Sequence, residues 1–461
     1  MDSSKVLPEL EAHLSNTQAK FYYPDHPEYT KLQECFIDKP IKTLATVRPR
    51  TAEDVSSIFQ FCLKSNIDFC VRTGGHDCAS RTLVHGALVI DMRDIKHVTI
   101  SDDKKTAKVG GGILSGELCE ILGKEGLTTP VGTIASVGYT GWATLGGYGP
   151  LTSHYGMGVD QIIVAKVVNA NGEIQDADEE MLVGIRGGGG SLGIIVELTI
   201  KVHPISTILS STIIFESSDL PSTLSAYTDY YENLLATNQL PVYLQLQPFI
   251  LEIPNLGTVL MIGATWHGDK EEGHAWIKNI ASAAPCIMQS TEETTMAELL
   301  AKNDKAFAGP FFGRVFTVSF KTLTPKTISI LSKYSANAPG GGAMFAYHTL
   351  LSAQEPVKSV FGTRARHHML EIYALTKDKD VTEERVKWGR EVKAELERDD
   401  GDNVLEGSYV ALGEHGEDLK RVYGKHYETL LNLKERYDPG NVFKNSIPRL
   451  VTVDEKFVEA E

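Results

Sequence analysis

The residues best suited to chemistry begin at Val71-Arg-Thr-Gly-Gly-His-Asp77, where a histidine and a carboxylate end a turn that carries two adjacent glycines. Gly74 and Gly75 remove Cβ bulk and permit positive φ, so the backbone amides from Thr73 to Gly75 can converge on an anion while Arg72 adds positive charge. The pattern therefore points to a phosphate-bearing cofactor, with His76 beside it. A histidine that merely capped the turn would give two glycines little reason to be there.

The elements around this turn alternate. Thr51 to Asn66 carries apolar Val55, Ile58, Phe59, Cys62 and Leu63 at helical spacing, with Thr51 as N-cap, which predicts a helix facing the core. Ile67 to Val71 and Ala87 to Ile90 are apolar runs of strand length. Val98 to Ile100 and Ala107 to Val109 read as a hairpin, and so do Gln161 to Val168 and the segment from Glu173. Gly110 to Gly158 holds fourteen glycines, in company too apolar for a flexible linker. An ordered wrap around a flat ligand fits better. Gly188, Gly190 and Gly193 satisfy GxGxxG, but a β-branched strand follows where a Rossmann site needs a helix.

At 461 residues the chain predicts two or three domains, and 42% hydrophobic with 23% charged residues is a globular composition. A net charge of −15 argues against a nucleic-acid partner, since phosphate-backbone binding requires clustered Lys and Arg. With no apolar run long enough to cross a bilayer and no leader-like segment, a soluble cytoplasmic protein with no membrane partner is expected. Six scattered cysteines without a CxxC pair predict mostly buried free thiols and no zinc site. After His203-Pro204, helical patterns (Ser222 to Ala236, Lys270 to Ala281, Thr382 to Arg398) alternate with strands (Val242 to Ile250, Thr258 to Thr265, Phe316 to Phe320), which predicts an antiparallel sheet backed by helices. Glu417 to Tyr437 reads as one final helix, stopped by Asp438-Pro-Gly.

Taken in series, Arg72-Thr-Gly-Gly-His76-Asp, Leu88-Val-Ile-Asp91, Val109-Gly-Gly-Gly, Gly138-x-x-Gly141-x-x-x-Leu145-Gly-Gly-Tyr-Gly149, Gly158-x-Asp160, Arg186-Gly-Gly-Gly-Gly and Tyr437-Asp-Pro-Gly-Asn-Val-Phe443 resemble the berberine-bridge-enzyme-like FAD-linked oxidases. The likeness runs from Thr43 to Pro204 and again from Tyr409 to Pro448. It implies an α+β fold with a two-lobed FAD-binding domain of the PCMH or vanillyl-alcohol-oxidase type. The expected division is an N-terminal segment (1–36), the FAD-binding domain (37–205), a substrate domain (206–405), a returning C-terminal segment (406–450) and a tail (451–461). It also implies a flavin bonded through its 8α-carbon to His76. The FAD-binding positions carried over are Arg72, Thr73, Gly74, Gly75, His76, Asp77, Ser80, Val131, Gly132, Val137, Gly138, Gly141, Trp142, Leu145, Gly147, Tyr148, Gly149, Ile195 and Asn441. Many relatives add a second bond through a cysteine at the position of Ile134. Isoleucine has no nucleophile, so a single histidyl link is expected. Val137 stands where a small residue is associated with oxidases and a larger one with dehydrogenases, and valine points toward oxidase.

Flavin oxidation of a C–H bond needs a base as hydride leaves to N5. The resemblance places one candidate after Phe361-Gly-Thr-Arg364, where Glu371 follows with a one-residue slip and Tyr373 lies two further on. A lone Glu among Met, Leu, Ile and Tyr on a strand is costly to bury without purpose. The family's other candidate is the last Tyr of Tyr-x-Asn-Tyr. Here Tyr409-Val-Ala-Leu412 keeps only the first, and leucine relays no proton. Glu371, Tyr373, Tyr347 or His348 then takes over, or the reaction needs no base there. His367-His368 would face opposite sides of a strand, against a metal site. Phe311, Phe312 and Phe316 fit a core, although Gly309-Pro310 suggests a loop able to wall an apolar substrate. The expectation is an FAD-dependent oxidase passing two electrons from a small, largely apolar organic or secondary-metabolite substrate to oxygen. The alternative, motivated by Leu412, is a redox-neutral cyclase or isomerase with structural FAD.

Overall fold

The computed structural model describes residues 3–39, 41–351, 357–413 and 416–450, so the expected tail at 451–461 lies outside the described residues. Among the described residues three large sheets, a two-stranded pairing of His203–Pro204 with Leu127–Thr128 and the helices between them form the α+β fold expected.

The first sheet is mixed. Phe69–Arg72, Leu88–Asp91 and Ala45–Arg48 run parallel, and Lys20–Tyr22 adds an antiparallel edge. Strands buried on both faces read as continuous apolar runs, as Leu88-Val-Ile does. Helix Ala52–Ser65 covers this sheet, its N-terminus capped by the Thr51 side chain accepting the Asp54 N–H at 3.1 Å and its end turned by Asn66 at φ 52°. Strand Phe69–Arg72 delivers the chain into the Gly74-Gly75 turn.

The second sheet is antiparallel, in the order Val98–Ile100, Thr106–Gly110, Ile194–Lys201, Ile162–Val168, Ile174–Asp176, and contains both expected hairpins. The glycine-rich wrap also contains short helices, Ser115–Lys124 and Tyr139–Thr144, that the glycine content concealed. Helix Glu179–Gly188 leads into the tetraglycine run, and strand Ile194–Lys201 follows it, so no Rossmann geometry forms.

The third sheet has seven antiparallel strands, in the order Cys286–Thr294, Ile208–Phe215, Gly257–Trp266, Leu244–Ile253, Met344–Leu350, His367–Thr376, Phe312–Phe320. Side chains alternate across it. Leu246, Ile250, Phe345, Tyr347, Leu370 and Ile372 join a core with helices Leu220–Ala236, Pro325–Ser335 and Thr382–Asp399. Their neighbours Gln247, Phe249, Leu251, His348, Glu371 and Tyr373 face the other way. Helix Met296–Ala306 leaves this sheet and packs on Ser115–Lys124, so Met296, Leu299 and Leu300 share a core with Leu118 and Leu122. A second clasp is Phe361, whose ring and backbone approach Gly146 and Gly187. A Cβ at Gly187, which sits at φ +120°, would lie 2.5 Å from the Phe361 nitrogen.

The last expected helix is two helices. Leu419–Tyr423 ends at Gly424, at φ 50°, and Tyr427–Tyr437 begins beyond a single tight turn. Helical periodicity survives such a break, and Gly424 was its only mark in the sequence. At its end the Lys434 ammonium, fully buried, donates to Asp438 Oδ2 at 2.5 Å and to the Ser191 carbonyl at 3.0 Å. Asp438 in turn accepts the N–H groups of Val442 (2.8 Å) and Phe443 (3.0 Å), which seats Phe443 against Phe59. Removing one partner leaves the other charge buried without compensation. Asp438→Ala is therefore expected to destabilise the protein by roughly 3–5 kcal/mol in chemical denaturation, and Lys434→Met with Asp438→Asn together by much less.

Candidate active site

A cavity of about 620 Å³ lies between the third sheet and the two smaller sheets. Its first wall is bare backbone and small side chains: Thr73, Gly74, Gly75, His76, Gly138, Gly141, Gly189 and Gly190. The facing wall is the outward side of the seven-stranded sheet, carrying Gln247, Phe249, Leu251, Met261, Met344, His348, Glu371 and Tyr373. Tyr409, Ala411, Leu412 and Phe443 come from the C-terminal segment. The three residues expected to do chemistry, Glu371, Tyr373 and Tyr409, thus line one cavity with the Gly-Gly-His turn.

Thirteen of the expected FAD-binding positions line it: Thr73, Gly74, Gly75, His76, Asp77, Gly132, Val137, Gly138, Gly141, Trp142, Leu145, Tyr148 and Ile195. Six do not, and each has another structural task. Arg72 is turned away from the cavity, and its guanidinium donates to the carbonyls of Leu32 and Glu34. The charge expected to meet phosphate instead braces the turn from behind. Ser80 sits at φ 57° inside a turn closed by Asp77, whose Oδ1 accepts from Arg81 Nε at 2.9 Å and Nη2 at 2.6 Å. Val131 is fully buried, and its carbonyl lies where a Cβ on Gly149 would be, at 1.8 Å. Gly147 packs on Gly158, and Asn441 sits at φ 46° in the turn after Tyr427–Tyr437. Asn445, a few residues on, lines the cavity in its stead.

Tyr347 also falls outside. As an odd member of its strand it points into the helix-side core against Phe320 and His368, which removes it as a substitute base. His367 and His368 take separate partners. His367 donates through Nδ1 to the Ala365 carbonyl at 2.7 Å, so its Nε2 accepts the Tyr148 hydroxyl, also at 2.7 Å, while His368 Nδ1 pairs with Thr349 Oγ1 at 2.9 Å. Phe316 is core, whereas Phe311 packs in tilted contact with Phe36 and Phe307, and Phe307 reaches the cavity.

Glu371 is 6% exposed, and burial pushes its carboxyl up to about 7. Tyr373 opposes this by donating to Oε2 at 2.7 Å. His348 Nε2 is 3.6 Å from Oε1, but burial holds that imidazole down at about 4, so it brings no positive charge. Gln247 lies 3.0 Å from the same nitrogen. The result is a carboxyl group poised near neutrality with one oxygen satisfied and the other toward the cavity.

His76 stacks on Phe36 with ring centroids 4.9 Å apart and 21° between planes. Its Nε2 lies 2.8 Å from Ser136 Oγ, and burial holds its pKa down at about 4, so the ring is neutral. Sequence reasoning passed over Phe36, Ser136 and the sheet residues Gln247, Phe249 and Met261. For the strand, the polar members of Leu244-Gln-Leu-Gln were the available signal, since a polar residue every second position marks a face that is not core.

The cavity fits a flat cofactor with a phosphate tail. A Cβ at Gly141 or Gly190 would meet nothing within 4 Å, so both leave bare backbone to the cavity, and Thr140 Oγ1, buried at its wall, has no hydrogen-bond partner. Residues 43–178 match the FAD binding domain family and residues 411–448 the berberine and berberine like family. The FAD-linked oxidoreductase aurO of Gibberella zeae is 33% identical over 438 residues, covering 92% of this chain and 84% of that protein. The chain belongs to the berberine-bridge-enzyme-like FAD-linked oxidoreductases. It is thus an FAD-linked enzyme of the oxidoreductase class, acting on an organic substrate. The fold is shared with 6-hydroxy-D-nicotine oxidase from Arthrobacter nicotinovorans (TM-score 0.81, 21% identity, covering 94% of this chain and 98% of that one). It is shared as well with the wild-type BBE-like 1 protein of Physcomitrella patens (TM-score 0.80, 22% identity, 94% and 97% covered). Among the described residues no helix is long and apolar enough to cross a membrane.

Gly141→Leu should keep the fold, because a Cβ there meets nothing within 4 Å and the side chain is directed into the cavity, and should abolish FAD retention, read as the flavin-to-protein absorbance ratio. Glu371→Gln tests the buried carboxyl. A folded pKa of about 7 against 4.5 in the unfolded chain favours the folded state fully below 4.5, and that contribution is lost as pH rises through 7. The variant should therefore be more stable than wild type at about pH 8, by an amount on the order of 3 kcal/mol, and match it in acid.

Proposed function

We propose that the chain is an FAD-dependent oxidase whose flavin is held by one covalent bond through His76, taking two electrons from a small, largely apolar organic substrate with dioxygen as acceptor. The observation that carries this reading is Glu371, a buried carboxyl near neutrality on the wall facing the Gly-Gly-His turn. Bound FAD supplies the two-electron acceptor. In its carboxylate form Glu371 accepts the substrate's proton as the C–H electrons depart. Tyr373 holds Oε2, leaving Oε1 to the substrate, and Gln247 with His348 offers neutral hydrogen-bonding groups beside it. Tyr409, also lining the cavity, is assigned to orienting the substrate. Phe249, Leu251, Met261 and Phe307 exclude water and favour an apolar body, which supports a secondary metabolite over a sugar. One relative, 28% identical over 206 residues and 44% of each chain, is the (R)-6-hydroxynicotine oxidase of Paenarthrobacter nicotinovorans, named for (R)-6-hydroxynicotine. Val137 at the cavity wall supports oxygen as acceptor only by its modest size.

Leu412 favours a second reading, because it places a methyl-bearing side chain at the cavity where the family pattern has a phenol. On that reading FAD is structural, and the enzyme closes or rearranges its substrate without net redox.

Anaerobic mixing with substrate separates the two. An oxidase bleaches its flavin band near roughly 450 nm, whereas product formed at unchanged colour would favour the cyclase. For the oxidase, Glu371→Gln should lower kcat/KM by roughly 10²–10⁴. The wild-type kcat/KM should rise with pH through about 7, because the carboxylate is the active form, and the variant should lose that limb.

A further inference from the structure

His76, Ser136 and Asp304 form a hydrogen-bonded chain that the reaction above does not use. Ser136 Oγ donates to Asp304 Oδ1 at 2.5 Å, and a hydroxyl has one proton to give. Its oxygen must therefore accept from His76, at 2.8 Å, which fixes the imidazole proton on Nε2 and leaves the lone pair on Nδ1. Phe36 sets the plane of the ring. Asp304 also accepts the Ser136 N–H at 3.2 Å, and its neighbour Asn303 donates to the Thr133 carbonyl at 3.0 Å. Both come from helix Met296–Ala306 of the part that carries the seven-stranded sheet. The helix end thus grips the loop 133–136 that contains Ile134, the position at which relatives with two links attach the flavin a second time.

Resting on the reading that His76 carries the flavin, we propose that Asp304, acting through Ser136, is the positioning residue for that covalent attachment. Nδ1 attacks the 8α-carbon, forming one N–C bond as an 8α C–H bond breaks. The alkylated ring sheds its Nε2 proton through the Ser136 hydroxyl to the Asp304 carboxylate. The 8α proton and the two electrons of the broken C–H bond stay with the flavin ring, which is left reduced by two electrons and one proton, the second proton being held on Asp304. Dioxygen then takes the two electrons with the ring proton and the Asp304 proton and leaves as hydrogen peroxide, restoring the oxidised, linked cofactor and the Asp304 carboxylate. The arrangement uses the logic of a catalytic triad, in which a carboxylate, here half-buried and acting through the Ser136 hydroxyl, holds an imidazole in one tautomer and stabilises the charge it acquires. Because Asp304 belongs to the opposing part of the molecule, attachment becomes competent only after the two parts have docked.

The test is the full-length chain produced under riboflavin limitation, given FAD in air, with covalent and acid-released flavin separated by denaturing mass spectrometry over time. Asp304→Asn keeps the hydrogen-bonding shape and removes the charge. It should bind FAD at wild-type stoichiometry but form the bond roughly 10²-fold more slowly, as should Ser136→Ala, while Asp304→Glu should recover most of the rate. A purely structural Asp304 would leave the Asn variant at the wild-type rate, and that result overturns the proposal. Should Asp304→Asn fail to fold, the Ser136→Ala rate decides on its own. If wild type itself carries flavin with His76 unmodified, the underlying cofactor reading fails first; if wild type and all variants become linked equally fast, only the relay fails.

Discussion

The approach of two backbones, Thr73–Gly75 against Ser136–Gly138, is the contact on which the rest of the site depends. A Cβ on Gly74 would sit 2.4 Å from the Gly138 nitrogen and 2.5 Å from the Ser136 oxygen, and a Cβ on Gly138 would sit 2.6 Å from Thr73 Cγ2. Each segment therefore excludes side chains from the other. The chain can leave such a junction in few directions, and the one taken sends His76 onto Phe36 and Ser136. Arg72 fastens the turn from behind to the carbonyls of Leu32 and Glu34, while the Phe36 N–H donates to the Gly75 carbonyl at 2.9 Å. A buried guanidinium that donates to two carbonyls is a rigid brace. The N-terminal segment is thereby part of the site's wall.

The opposing wall is built on a different principle. A seven-stranded sheet that buries one face beneath helices has its register fixed by that face, so the other is free to carry residues chosen for chemistry. Leu370 and Ile372 hold the register of His367–Thr376, and Glu371 and Tyr373 occupy the positions between and beyond them. A carboxyl group without a nearby cation opposes folding at neutral pH. The helix-side core, with Trp388, Phe316 and Phe345, offsets that burden.

Much of this was legible in the sequence, and the failures share a cause. Periodicity revealed Ala52–Ser65, the hairpins and the strands of the large sheet, because each buries one face and shows it in the spacing. The ordered blocks of glycine and histidine revealed the FAD-binding part. What stayed hidden depended on direction and on distance along the chain. Arg72 has the right charge in the right place, yet its side chain leaves the strand on the side away from the cavity. Tyr347 and His348 are neighbours, and only strand phase decides which of them meets the ligand. Phe36 and Asp304 reach the histidine from segments 40 and 228 positions away, and no local pattern records such a meeting. Gly424 divides a helix whose apolar spacing continues across the break.

The departure at Leu412 and the poise of Glu371 are two sides of one electrostatic fact. Leu412 lines the cavity and packs with Cys78, Val315 and Tyr373, the same neighbourhood that desolvates Glu371. A phenol at that position would offer a second hydroxyl to the carboxylate, favour its ionised form and draw its pKa down toward the ordinary range. Leucine offers none and excludes water instead. Tyr373 alone then donates to the carboxylate, burial outweighs it, and the pKa settles at about 7. An apolar residue at position 412 therefore goes together with a carboxyl of raised pKa at Glu371 on the facing wall. With only the Tyr373 hydroxyl opposing it, burial sets the carboxyl near 7, the range in which the base proposed for Glu371 exchanges a proton most readily.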